Sequence, residues 1–141
     1  MKVAIVIIET LAIPHVYDAP EPQQGNWGGE WGSPKVTIHM EIPEGLDPTV
    51  IMAVRDSESG EITLVEDPTK VAAKTEDQWN SVRAQQSDLL YKSDWTCSVV
   101  DPPAPILAQR DQWIAYRAAL RDVTTQSDPF NIVWPSPPVA N

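Results

Sequence analysis

VRAQQSDLLYKSDWTCSVVDPPAPILAQRDQWIAYRAALRDVTTQSDPFNIVWPSPP, residues 82–138, decides how the rest of the chain is read. It continues a run, residues 70–91, that contains neither proline nor glycine. Within that run Val71, Trp79, Val82, Leu89 and Leu90 recur near helical spacing, with charged and amide residues between them. Ser93-Asp94 closes this first helix, and Asp101-Pro102-Pro103-Ala104-Pro105 is a rigid stop. Residues 106–123 predict a second helix, with Trp113, Tyr116, Arg117 and Leu120 at i, i+3, i+4 and i+7. From Thr124 onward the prolines at 129, 135, 137 and 138 keep the chain extended. Two helices joined by a short link pack antiparallel, so the stretch predicts a helical hairpin with a proline-rich tail.

Upstream the period changes from helical to alternating. Residues 2–9 (KVAIVIIE) are rich in β-branched side chains and predict a strand buried on both faces, able to pair with a partner chain as readily as with its own sheet. Pro14, Pro20 and Pro22 then interrupt regular structure. Residues 24–33 (QGNWGGEWGS) form a glycine loop carrying Trp27 and Trp31. Residues 35–42 alternate, with Val36, Ile38, Met40 and Ile42 on one side and Thr37, His39 and Glu41 on the other, which places His39 on a solvated polar face. Residues 50–55 and 61–66 flank Ser57-Glu58-Ser59-Gly60 as a hairpin. Asp67 or Thr69 then caps the first helix. The expectation is an α+β chain: an antiparallel β part of about four strands over residues 1–67, then a helical hairpin and tail over residues 68–141.

Charge and composition narrow the function classes. The formal net charge is −10, and residues 1–67 carry three basic and twelve acidic side chains against seven and eight in residues 68–141. An acidic surface repels phosphates, which argues against a nucleic-acid partner. Fourteen prolines in 141 residues exceed the ~5% norm and shorten the regular elements. Cys97 is the only cysteine, so an intramolecular disulfide and a cysteine-rich metal site are both excluded. The apolar run 1–8 is too short for a membrane span or a signal peptide, so a soluble, cytoplasmically made chain is expected. No His-Glu-x-x-His, Gly-x-Ser-x-Gly, phosphate-loop or calcium-loop pattern occurs, and His15 and His39 stand far apart. Neither an enzyme nor a bound metal or cofactor is expected.

One set of residues goes further. Arg83 with Leu89-Leu90, Ser93-Asp94-Trp95-Thr96, Asp101, Trp113 with Tyr116-Arg117 and Leu120-Arg121-Asp122, and Val133-Trp134-Pro135 with Pro138 together resemble the bacteriophage tail-assembly-chaperone module. The resemblance covers about the C-terminal two fifths of the chain. It implies a non-enzymatic protein that binds and assists a tail fibre or baseplate component in the host cytoplasm. The alternatives are a subunit that stays in the virion tail, including as a homo-oligomer, and a small carbohydrate-binding module at a fibre tip.

The same residues have physical roles to play. Arg117 and Arg121, one turn apart, face Asp94 and Asp101 across the hairpin, where arginine forks would fix the helices and satisfy the last carbonyls of the first one. Arg83 and Asp122 are likewise expected to be structural. Trp79, Trp95, Trp113 and Trp134 are expected to fill the thin core. Partner contact is expected at three places: strand residues Val3, Ile5 and Ile7 through a free edge, Trp27 and Trp31 on the glycine loop, and Trp134-Pro135 in the tail.

Overall fold

The computed structural model describes residues 1–19, 37–98 and 104–139. The chain divides into two compact units, Met1–Lys74 and Thr75–Asn141, with the division falling inside one helix.

In the N-terminal unit β1 (Lys2–Ile7) is the central strand of a three-stranded antiparallel sheet, between β2 (His15–Asp18) and β3 (Thr37–Glu41). Ile5 sits opposite His15 on one side and His39 on the other. A two-stranded antiparallel sheet follows, β4 (Ile51–Arg55) and β5 (Ile62–Glu66). Ala4 and Val6 on β1, with Ile42 just beyond β3, pack with Ile51, Ala53 and Leu64 of the second sheet as one buried core. Alternation delivers these side chains to a single face. The Arg55 guanidinium donates to the Ile8 carbonyl at 2.6 Å, tying the hairpin to the end of β1.

The turn between β4 and β5 is built by Asp56. Its Oδ1 accepts from the Glu58 and Ser59 N–H groups at 2.9 and 2.7 Å and from the Ser59 hydroxyl at 2.9 Å. Gly60 closes the turn at φ +73°, a backbone conformation glycine adopts without strain.

Three expectations change here. The sheet gains β2, a four-residue strand flanked by prolines that the sequence pattern does not announce. β1 has no free edge: its two sides are taken by β2 and β3, and Val3 is fully buried. Strand addition at Val3, Ile5 and Ile7 would have to displace a strand of the same chain, so those residues are sheet interior. Finally, His39 is not solvated. It is buried, and its Nδ1 lies 2.7 Å from the hydroxyl of Tyr17, which reaches across β1 from β2, where the two rings meet edge to face. Trp27 and Trp31 lie outside the described residues.

Helix α1 (Pro68–Ser93) begins as its sequence dictates. Pro68 occupies the first helical position, where a missing N–H does no harm, and Asp67 Oδ1 caps the Thr69 and Lys70 N–H groups at 2.9 and 3.3 Å. Lys70 reaches the Ile51 carbonyl at 2.8 Å, and Lys74 pairs with Asp47.

In the C-terminal unit the remainder of α1 is followed by short helices α2 (Trp95–Ser98) and α3 (Ala104–Ala108), then α4 (Arg110–Asp122) and a 3-10 turn, Val123–Thr125. Gln78, Gln86 and Leu90 of α1 bond respectively to residues 129, 120–121 and 117, so the two long helices run antiparallel. The single helix expected over 106–123 is broken at Gln109, whose φ and ψ of −108° and 11° leave the helical range.

The core differs from the tryptophan-filled one expected. Among the described residues Val82, Tyr116, Leu120, Val123 and Pro129 are buried, while Trp79, Trp113 and Trp134 are half-buried and Trp95 is 48% exposed. The indoles keep part of their surface in water instead of filling the centre. Trp113 meets Trp95 at 6.0 Å and Tyr116 edge to face at 5.8 Å between ring centres.

The Lys74 ammonium, followed by the Thr49 N–H and hydroxyl, holds the Asp47 carboxyl down at about 2, from 3.8. A carboxyl lowered on folding contributes stability in full above the unfolded value and loses it as pH falls through the folded one. The Asp47 contribution is therefore expected intact above about pH 4 and gone towards pH 2. Acid titration followed by circular dichroism should show a shallower limb in that window for Asp47→Asn than for the unaltered chain.

Candidate partner-binding site

The candidate face of the C-terminal unit is assembled by polar side chains that reach across to backbone. At its head is Arg117, on the second turn of α4, with a side chain only 12% exposed. Its Nη1 donates to the Leu90 carbonyl at 2.7 Å and to the Ser93 hydroxyl at 2.8 Å, and its Nη2 donates to Asp94 Oδ1 at 2.6 Å. The guanidinium thus closes the C-terminal end of α1, where the helix has carbonyls with no partner of its own. Ser93 is buried and sits 2.9 and 3.0 Å from the Leu89 and Leu90 carbonyls, while its own carbonyl accepts from the Thr96 hydroxyl at 2.6 Å.

Magnitudes decide which of these contacts matters most. Asp94 is 56% exposed, and a pair with one end in water is worth ~0–1 kcal/mol. Bonds from a charged donor to buried neutral acceptors are worth about 1.5–3 kcal/mol each. The carbonyl and hydroxyl of α1, more than the carboxylate, hold Arg117.

Glutamines do the rest. Gln86 donates to the Leu120 and Arg121 carbonyls at 2.7 and 3.1 Å, closing α4 as Arg117 closes α1. Gln78 donates to the Pro129 carbonyl at 3.2 Å. Gln126 grips Val133 at two points: its Oε1 accepts from the Val133 N–H at 2.9 Å, and its Nε2 donates to the Val133 carbonyl at 3.0 Å. Before it, Asp128 turns the chain by accepting from Phe130 N–H and from the Asn131 amide, which holds its carboxyl below the ordinary value, the Asn131 bond first.

The tail so held forms one wall of an open groove of about 370 Å³. Ala119, Asp122, Val123 and Gln126 line one side, and Val133, Trp134 and Pro135 the other. Of the tail's apolar side chains, Val133 on the groove's rim is 76% exposed, and Phe130 (51%) and Val139 (80%) stand exposed beside it.

The residues singled out in the sequence distribute as follows. Arg117, Asp94, Trp95, Trp113, Tyr116 and Leu120 come together around the end of α1 and the face of α4. Trp134, Pro135 and Asp122 share the groove. Arg83 does not cross the hairpin: it bonds Glu76 and Asn80 on its own helix, at 3.0 and 2.8 Å. The Arg121 side chain is exposed, its backbone carbonyl serving Gln86. Asp101 lies outside the described residues. The glutamines were missed, although Gln86, four residues past the buried Val82 on the same helical face, is an amide where an apolar residue would be expected. Among the described residues no group of His, Cys, Asp or Glu could hold a metal ion, and no helix is long and apolar enough to cross a membrane.

Residues 79–139 match the family model described as phage tail assembly chaperone protein. The match runs from within α1 through α4 to the end of the described tail, under half of the chain, so the C-terminal part is similar to that family. Comparison with curated proteins and with solved structures gave no match.

Removing the fork should outweigh removing its exposed carboxylate. Arg117→Met is expected to lower stability by about 2–4 kcal/mol, and Asp94→Asn by less than about 1 kcal/mol. Urea unfolding of the two variants against the unaltered chain checks the order.

Proposed function

We propose that this chain is a non-enzymatic bacteriophage tail protein that binds a tail fibre or baseplate component and assists its assembly in the host cytoplasm. The observation that carries the reading is the match of residues 79–139 to the phage tail assembly chaperone family. It is supported by what that segment offers a partner. An open, mainly apolar groove lies beside the tail, and apolar side chains stand exposed at Phe130, Val133 and Val139. The contact surface proposed is therefore Trp134-Pro135 and its surroundings. The acidic bias of the N-terminal unit keeps an assembly factor soluble and off nucleic acid during packaging.

A factor that assists assembly leaves when assembly ends, whereas a subunit stays in fixed number. Mass spectrometry of purified, intact particles, set beside the proteins that co-purify with this chain from infected cells, separates the two. The expected result is absence from particles together with recovery on an unassembled fibre or baseplate protein. Stoichiometric presence in the particle would overturn the assisting role in favour of a structural subunit.

A further inference from the structure

The tail of the C-terminal unit displays, within one chain, how an extended segment is recognised. The bidentate grip of Gln126 reads the backbone N–H and carbonyl of Val133 in the manner of a strand neighbour, and it reads nothing of the side chain, which is 76% exposed. The next two residues, Trp134 and Pro135, are half-buried against the groove that Ala119 and Val123 line from the other side. Beyond the 3-10 turn the tail belongs to no helix or strand. Neutral amide contacts hold it: Gln126 on Val133, Gln78 on the Pro129 carbonyl, and Gln109 on the Val139 carbonyl at 2.7 Å. Such contacts are individually weak and equally available to another extended chain.

We propose that the α4-side wall of this groove, Ala119, Asp122, Val123 and Gln126, is a peptide-docking face which the chain's own Val133-Trp134-Pro135 covers in cis, and that an extended aromatic–proline segment of the client tail protein takes their place. The inference rests on the assembly reading above. The chemistry of the occupant follows from the lining. The segment must be extended, because a helix would withdraw the N–H and carbonyl that Gln126 pairs. A proline fits after the aromatic residue, since it holds that residue extended and needs no N–H partner. Among the described residues of the lining Asp122 is the charged one, so an uncharged or basic segment is accepted and an acidic one repelled. The resident tail obeys the same rule, residues 131–138 being uncharged. Self-occupancy shields the groove when no client is present and lowers the apparent affinity for any competitor by the fraction of time the tail is away.

The test is a fluorescence-anisotropy titration of the labelled peptide Asn-Ile-Val-Trp-Pro-Ser-Pro-Pro, the sequence of residues 131–138, into three full-length proteins. These are the unaltered chain, Trp134→Ala and Val133→Pro. Val133→Pro removes the N–H that Gln126 accepts while changing a side chain that is largely in solvent and belongs to no helix, so it releases the tail without disturbing the helices. Both variants are expected to bind the peptide about ten-fold or more tighter than the unaltered chain. Adding Gln126→Leu to Val133→Pro should abolish that gain. Equal affinity for all three proteins, or no binding to variants that keep the far-UV circular dichroism of the unaltered chain, would overturn the proposal. Either failure leaves the particle inventory unaffected, and a particle result against the assisting role leaves this titration unaffected.

Discussion

The C-terminal unit depends on how the last turn of α1 is closed. A helix that ends at Ser93 leaves carbonyls facing the seam between α1 and α4, and an unpaired buried carbonyl is destabilising by more than a good contact gains. Arg117 resolves this from the opposite helix, and in doing so sets the register of one helix against the other. Gln86 makes the reciprocal bond to the end of α4. Val82, Tyr116, Leu120 and Val123 are buried among the described residues of this unit, and the polar contacts add direction to that packing. Hydrogen bonds are directional where apolar packing is not, so the polar contacts help fix that register.

The same economy shapes the tail. Segments rich in proline have few N–H groups and cannot join a ladder, so the chain beyond the 3-10 turn is held by side-chain amides at separate points. That arrangement leaves apolar side chains in water and a groove beside them. In a protein with a purely structural hairpin such exposure would be a liability. In the segment that matches the tail-assembly-chaperone family, such exposure accords with the partner surface proposed above.

How much of this was legible depended on range. Asp67 as a helix cap, Asp56 with Gly60 as a turn, and the alternation through Ile38 and Met40 are local, and the sequence announces them. The pairing of Arg117 with Asp94 was legible too, because an arginine on one helix and an acid at the end of the other have few alternatives. What required the chain to fold back was not. The β-branched run 2–7 says that both faces are covered, but not that β2 and β3 flank it, so its edge looked free. His39 looked solvated because alternation assigns a face and cannot say what lies against it; Tyr17 does. The break at Gln109 is hidden because helical spacing carries on through it. Of the groove, Trp134 and Pro135 were visible as a surface, while its other wall, Ala119 and Val123, exists only once α4 and the tail lie side by side.

Nuclear magnetic resonance of the arginine side chains tests the closing of α1 most directly. A guanidinium fixed by bonds at Nη1 and Nη2 rotates slowly and shields its protons, whereas one on a half-exposed helix surface does not. Arg117 is predicted to give separate, slowly exchanging Nη1 and Nη2 signals, while Arg83, with a side chain 50% exposed, gives a single averaged one. An averaged, rapidly exchanging Arg117 signal like that of Arg83 would contradict the account, because the hairpin would then be held by something other than this fork.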